Sequence, residues 1–301
     1  MVIKEKVVII GAGEIGTALD YIIRKKGIEP VIWDKDSSKI KQPLAFSEAM
    51  KNASIIFICA PSWVNREIAK NIYENTTENQ KIVITLSKGL EENSAKTMDE
   101  VFAEELRGKA DFGILVGPML AEELKLDQPT AGVIGLSDRK WRPTLKKLFL
   151  KTNLKIQFSD DIRGLALCSV LKNIYGLALG MADGFGLKAN AKSVLTVEIF
   201  KEMEKVIRSL GGDKKTVSGL AGLGDLLATA WSDLSYNFST GRDIAIKGEK
   251  CPRSEGCVSI GQIKKLIGAV FQKFRILSVL SEIILEGKDA RETFFKIFKN
   301  R

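Results

Sequence analysis

Val7-Val8-Ile9-Ile10-Gly11-Ala12-Gly13-Glu14-Ile15-Gly16 joins a short apolar run to a G-x-G-x-x-G pattern just where a helical periodicity starts. Each glycine has its own steric reason. Gly11 permits a tight turn, Gly13 removes the side chain that would block a diphosphate, and Gly16 lets the helix pack closely on the strand. The first turn of that helix, with Glu14 and Ile15, offers unbonded N–H groups to an anion. Outward from this stretch, apolar runs recur at Pro30-Val31-Ile32-Trp33, Ile55-Ile56-Phe57-Ile58, Ile82-Val83-Ile84-Thr85 and Phe112-Gly113-Ile114-Leu115-Val116. They lack the polar alternation of a sheet with one wet face, so they read as parallel strands buried on both sides. Helical patterns such as Glu14 to Lys26 and Val64 to Tyr73 separate them. The repetition predicts an α/β fold with a Rossmann-type, doubly wound, mostly parallel sheet.

Ala131 to Leu136 and Leu154 to Phe158 read as further strands around a helix from Arg142 to Leu150. After about Asp160 the strand signals stop. Helices are expected at Ile162 to Ala182, Ala191 to Leu210, Leu223 to Trp231, Gly241 to Lys247, Ile260 to Phe271, Ile276 to Ile284 and Arg291 to Phe298. The chain therefore reads as a dinucleotide-binding domain over residues 1–160 and an all-α substrate domain over 161–301. With 301 residues, 45% of them apolar, it is long enough for two cores.

Composition excludes several chemistries. The chain has no histidine, so histidine metal ligands, histidine bases and Ser-His-Asp triads are ruled out and no metal site is expected. The four cysteines, Cys59, Cys168, Cys251 and Cys257, form no C-x-x-C pair and are read as free thiols. The net charge of +9 comes from lysines interleaved with acids, which argues against nucleic acid and for anionic small molecules. The opening Met1 to Lys6 runs straight into a strand without an apolar targeting segment, so a soluble cytoplasmic protein is expected.

Two positions carry chemistry. Asp34 ends the second strand about twenty residues past the glycines, where a carboxylate accepts from ribose hydroxyls and repels a 2′-phosphate. NAD is favoured over NADP, although Lys35 and Lys39 lie close enough to offset the charge. Lys172, followed by Asn173, interrupts an apolar stretch from Gly164 to Gly180. That stretch is long enough for a membrane span, but the Lys-Asn pair at its centre argues for a buried helix at a domain interface. Burial lowers a lysine pKa, which makes Lys172 a candidate base near pH 7. The competing reading is a structural lysine paired with Asp183 or Asp225.

The motifs together resemble the NAD(P)-dependent glycerol-3-phosphate dehydrogenases. The resemblance runs through the glycine turn, Ala60-Pro61-Ser62, Ser87-Lys88-Gly89-Leu90, Gly117-Pro118 with Ala121-Glu122-Glu123, Leu171-Lys172-Asn173 and Gly180-Met181-Ala182-Asp183-Gly184. It continues in Leu220 to Leu226 with Thr229, in Ser235 and Asn237, and in Glu255-Gly256. It implies that Lys172 is the proton acceptor, with Lys88, Asn173, Asp225 and Thr229 around the reacting carbon. Pro61, Lys88, Ala121 and Glu255 are implied cofactor contacts. Gly117, Met119, Ser235, Tyr236 and Asn237 join Lys88, Lys172 and Asp225 as the implied substrate contacts. A triose phosphate would be the substrate, and a homodimer through the helical domain fits this architecture.

The chain departs from the family pattern twice. Ser235-Tyr236-Asn237 stands where the family reads Ser-Arg-Asn, and Gly117-Pro118-Met119 stands for Gly-Pro-Ser or Gly-Pro-Thr. An arginine grips phosphate through a charged fork that a tyrosine cannot reproduce. Either Arg242 or Arg253 replaces it, or the substrate is another small hydroxy compound without a phosphate. A non-catalytic NAD-binding protein is the third reading.

Overall fold

The computed structural model describes residues 6–76, 81–230, 232 and 234–299. The opening residues 1–5 and Trp231, the expected end of one helix, lie outside the described residues. The chain forms two compact units, Met1–Ser87 with Thr97–Ile162, and Lys88–Lys96 with Arg163–Arg301. A single division near residue 160 is thus too simple, because Lys88–Lys96 folds with the helical unit. Side chains hold it there: Asn173 Nδ2 donates to the Lys88 carbonyl at 2.8 Å, and Lys265 Nζ donates to that of Asn93 at 2.9 Å.

In the first unit, β1 (Lys6–Ile10), β2 (Val31–Trp33), β3 (Ala53–Ile58), β4 (Ile82–Thr85), β5 (Asp111–Val116), β6 (Thr130–Leu136) and β7 (Leu154–Ser159) form one sheet. Its order is β2-β1-β3-β4-β5-β6-β7. Every neighbouring pair is parallel except β5 and β6, which run antiparallel. The order reverses at β1, so Gly11 after β1 and Ala60-Pro61 after β3 flank the switch point, where such sheets bind ligands. Helices α1 (Glu14–Arg24), α2 (Phe46–Met50), α3 (Asn65–Glu74), α4 (Met98–Leu106), α5 (Ala121–Lys125) and α6 (Arg142–Phe149) complete the unit. Val7, Ile9, Ile55, Phe57, Ile82 and Ile84 share a core with Leu19, Ile22 and Ile23 of α1 and with Leu145, Leu148 and Phe149 of α6. Their sequence neighbours Val8, Ile10, Ile56, Ile58 and Val83, which point to the opposite face, are buried as well. Burial of both faces is why these strands show no alternation.

The second unit is built on α7 (Ile162–Gly184), followed by α8 (Ala189–Ser209), α9 (Lys214–Val217), α10 (Asp225–Ala230), α11 (Tyr236–Lys247), α12 (Glu255–Ile267), α13 (Arg275–Ile284) and α14 (Ala290–Phe294). Helix α7 is long and apolar enough to cross a membrane, yet its most apolar window is 100% buried inside the fold. Gly180 brings α11 onto it: a Cβ there would lie 2.0 Å from the Phe238 carbonyl oxygen, and one on Gly241 would lie 2.1 Å from that of Leu177. The two backbones therefore touch, which fixes the first turn of α11 against α7. Glu202 of α8 joins two more helices, accepting from Tyr175 on α7 and from the Ile276 and Leu277 N–H groups that open α13.

Several boundaries differ from the periodicity reading for local reasons. Helix α11 starts at Tyr236 rather than Gly241, because Ser235 caps it by accepting from the Phe238 N–H. The expected helix from Leu223 is split: Leu220–Gly224 is a π-helical turn, with the Gly224 N–H bonded five residues back to Gly219, and α10 begins at Asp225. Helix α4 follows a capping box of Thr97 and Glu100, a signal present in the sequence. The cysteine reading is corrected too. Cys59 and Cys168 stay outside any disulfide, but Cys251 and Cys257 form one. Their spacing is no C-x-x-C, yet the turn into α12 brings their Cα atoms to 6.0 Å, within disulfide range.

Gly180→Ala is expected to lower stability by about 1–3 kcal/mol, since backbone blocks the added methyl. Gly261→Ala in α12, where a Cβ meets nothing within 4 Å, should raise it by up to about 1 kcal/mol. Thermal melts of the two variants give opposite shifts if the packing is as described.

Candidate active site

In the first unit, the glycine turn has the sterics that a dinucleotide needs. Gly11 has φ +104°, and a Cβ there would come within 2.5 Å of the Cys59 carbonyl oxygen. A Cβ on Gly16 would fall 1.9 Å from the Gly11 carbonyl oxygen, so α1 cannot tolerate a side chain at that contact. Gly13 is the opposite case, exposed with nothing within 4 Å of a Cβ, which leaves space for a diphosphate at the start of α1. Glu14 and Ile15 form the first turn beside it. Asp34 closes the turn: its carboxylate accepts from the Ala12 N–H at 2.7 Å and from the Asp36 N–H at 2.9 Å. Next to this turn lies a cavity of about 810 Å³, lined by Ala12, Thr17, Val31, Ile32, Lys39 and Leu44 among others. Lys39 pairs with Asp36 at 3.8 Å. At the ends of β3 and β4, a network that the sequence reading missed fixes Pro61: Ser87 donates to the Ala60 carbonyl at 2.6 Å, and Asn65 donates to the Pro61 carbonyl and to Ser87.

In the second unit, Lys88, Lys172, Asn173, Asp225 and Thr229 come together. Asp225, 3% exposed, receives both lysines: Lys88 Nζ at 2.7 Å on one oxygen and Lys172 Nζ at 3.4 Å on the other. Lys172 also donates to Thr229 Oγ1 at 3.2 Å, and Thr229 donates onward to the Asp225 carbonyl at 2.8 Å. The two readings of Lys172 thus coincide, since it is both buried and paired with Asp225. Burial pushes its ammonium down to about 8, Asp225 opposing the shift and Lys88 adding to it. Burial also pushes the Cys59 thiol up to about 12 and holds the Tyr175 phenol well above its usual value. Asp183, the other proposed partner, pairs with Lys192.

Asn237 sits behind this cluster, its Oδ1 accepting from the Gly256 N–H at 3.1 Å. A Cβ on Gly256 would meet Asn237 Oδ1 at 2.7 Å and the Asn173 carbonyl oxygen at 2.8 Å, a constraint that the motif did not reveal by itself. Ser235 spends its hydroxyl as the helix cap, and Tyr236 beside it is 60% exposed. Glu255 opens α12. In the first unit, Gly117 has φ +131° and Ala121 opens α5. Met119, the other position that departs from the family pattern, has its side chain buried in the sheet core, with Sδ against Gly132. Arg253 pairs with Glu92 at 2.8 Å.

Models described as NAD-dependent glycerol-3-phosphate dehydrogenase N-terminus and C-terminus match residues 39–142 and 161–295. The glycerol-3-phosphate dehydrogenase (NAD(P)+) of Clostridium acetobutylicum is 30% identical over 97% of this chain and 96% of its own length. The chain belongs to the NAD-dependent glycerol-3-phosphate dehydrogenase family. The Fusobacterium nucleatum enzyme of the same description is 31% identical over 78% of this chain and 77% of its own. A solved glycerol-3-phosphate dehydrogenase from Coxiella burnetii shares the fold, with a TM-score of 0.90 and 24% identity over 99% of this chain and 100% of that one. The N-terminal family match begins at residue 39, so the glycine turn supports the assignment independently of it.

In this dehydrogenase, Asp225→Asn should destabilise strongly, by about 3–5 kcal/mol, because it leaves a buried ammonium without its counter-charge. Lys172 already binds its proton less tightly when folded than when unfolded, so stability rises with pH through that window. Removing Asp225 lowers the folded value further and extends the window downward. Urea unfolding should therefore show a larger loss at pH 6 than at pH 9.

Proposed function

We propose that the protein interconverts dihydroxyacetone phosphate and glycerol 3-phosphate with NAD(H), Lys172 giving and taking the proton at the C2 oxygen. One observation carries this reading: a buried lysine, brought down to about 8, shares a single carboxylate with a second lysine. At that value both protonation states are populated near neutral pH, as a group that must serve as acid in one direction and base in the other requires. Bound NAD supplies or accepts the hydride. Two ammonium groups facing one carboxylate leave net positive charge for a substrate oxygen, and Lys88 polarises the ketone as charge builds on it. Thr229 accepts from Lys172 while its own proton is committed to the Asp225 carbonyl, so the amine keeps a fixed direction. Asn173 holds the backbone of Lys88.

NAD is the proposed cofactor over NADP because the Asp34 carboxylate opposes a 2′-phosphate. The protein acts in the cytoplasm and as a homodimer in this reading, the latter checked by sedimentation. A second reading, a substrate without phosphate, draws support from three residues: Tyr236 replaces the family's arginine, Arg253 is tied to Glu92, and Met119 is buried.

Purified protein should oxidise NADH with dihydroxyacetone phosphate, and a panel of ketones lacking phosphate separates the two readings. Lys172→Ala should lose at least about 100-fold in turnover, the scale of general acid–base catalysis, while NADH binding persists. Alcohol oxidation needs neutral Lys172, so its kcat/KM should rise with pH to a plateau above about 8, and ketone reduction should fall over the same range. Unchanged turnover in Lys172→Ala would overturn the mechanism. Gly13→Ala should change the melting temperature little but weaken NADH binding, because the added Cβ meets no protein atom within 4 Å.

A further inference from the structure

The disulfide lies where two supports of the lysine cluster converge. Cys251 is half-buried and Cys257 is buried, in the first turn of α12. Between them, Ser254 caps the helix by accepting from the Cys257 N–H at 3.2 Å. Gly256 gives its N–H to Asn237 and packs on Asn173, while Arg253 reaches Glu92 at 2.8 Å. The same Glu92 offers its carbonyl to Gln262, and Asn93 offers its own to Lys265, both on α12. Residues 88–96, which carry Lys88, are thus held by Asn173 at one end and by α12 with its lead-in at the other.

We propose that the Cys251–Cys257 bond is a redox-dependent clasp that positions Lys88 and Asn237, so that the thiol–disulfide state of the surroundings sets the enzyme's activity. The magnitudes favour a covalent device. The Arg253–Glu92 pair is 61% and 46% exposed, and such a pair contributes little when its loop is free to move. Tethering Cys251 to α12 restricts that loop and makes the pair persist. A bond closing so short a loop adds less to the stability of the fold than one closing a long loop, so the reduced chain keeps its fold.

A dithiol is the reductant by class. One thiolate attacks Sγ of Cys251, the less buried of the two residues, forming a mixed disulfide and expelling the Cys257 thiolate, which takes up a proton. The second thiol of the reductant then closes its own disulfide and releases Cys251 as a thiol. Two electrons and two protons pass from the dithiol to the protein. Cys257, in the first turn of a helix, is the better leaving group because the N-terminal dipole stabilises its thiolate. The reduced chain keeps the Ser254 cap but loses the restraint on Cys251 to Arg253, and residues 88–96 loosen.

The effect on activity rests on the dehydrogenase reading, whereas the effect on structure does not. Full-length protein is prepared oxidised, or reduced with dithiothreitol, and its free thiols are counted by iodoacetamide labelling and mass spectrometry. Hydrogen exchange over residues 88–96 and at Gly256, and kcat and KM for dihydroxyacetone phosphate, are then measured on both forms. Reduction should add two labelled cysteines, speed exchange in 88–96, and lower kcat/KM roughly tenfold, the worth of one charged hydrogen bond, mainly through KM. The double variant Cys251→Ser with Cys257→Ser should match the reduced form and ignore dithiothreitol. The proposal is overturned by equal exchange in both forms, by failure of the two cysteines to pair under oxidant, or by a double variant that still responds. Faster exchange on reduction with no turnover in either form supports the clasp and counts against the dehydrogenase reading instead.

Discussion

One carboxylate between two ammonium groups is the constraint that organises the helical unit. Asp225 is almost wholly buried, and water cannot stabilise Lys172 at its depth. A charge so placed persists only with a partner held at close range, and that partner must itself be fixed. The π-helical turn at Leu220–Gly224 and the close packing of α11 on α7 both serve this end. The first sets where α10 begins, at Asp225, and the second fixes the first turn of α11, with Asn237, against α7.

The same balance explains why Lys172 is poised and not merely buried. Desolvation alone would strip its proton, and a dedicated carboxylate alone would lock the proton on. Sharing Asp225 with Lys88 leaves Lys172 between these limits. In a protein without histidine, this is a way to obtain a group that titrates near neutrality from residues that ordinarily do not.

The first unit solves a different problem, which is space. Gly11 and Gly16 are forced by contacts already present in the fold, whereas Gly13 faces nothing and keeps room for something else. Asp34 holds the turn through the Ala12 N–H while retaining its charge at the end of β2. The polar network of Asn65, Thr85 and Ser87 does comparable work at the next strand ends, with every donor answered inside the unit.

The strands of the sheet, the glycine turn and the odd polar pair in α7 were legible in the sequence because each is a local pattern: strands buried on both faces are continuously apolar, a strand-turn-helix junction needs glycines, and a charge in an apolar helix stands out. The membership of Lys88–Lys96 in the helical unit, the pairing of Cys251 with Cys257, the core burial of Met119 and the seating of α11 on α7 were decided by tertiary structure. All four depend on which distant groups meet. Hydrogen bonds from Asn173 and Lys265, the turn into α12, the packing against Gly132 and the backbone contact at Gly180 bring together residues that no local periodicity relates. Even Lys172, conspicuous in the sequence, acquired its partner only when the chain placed Asp225 beside it.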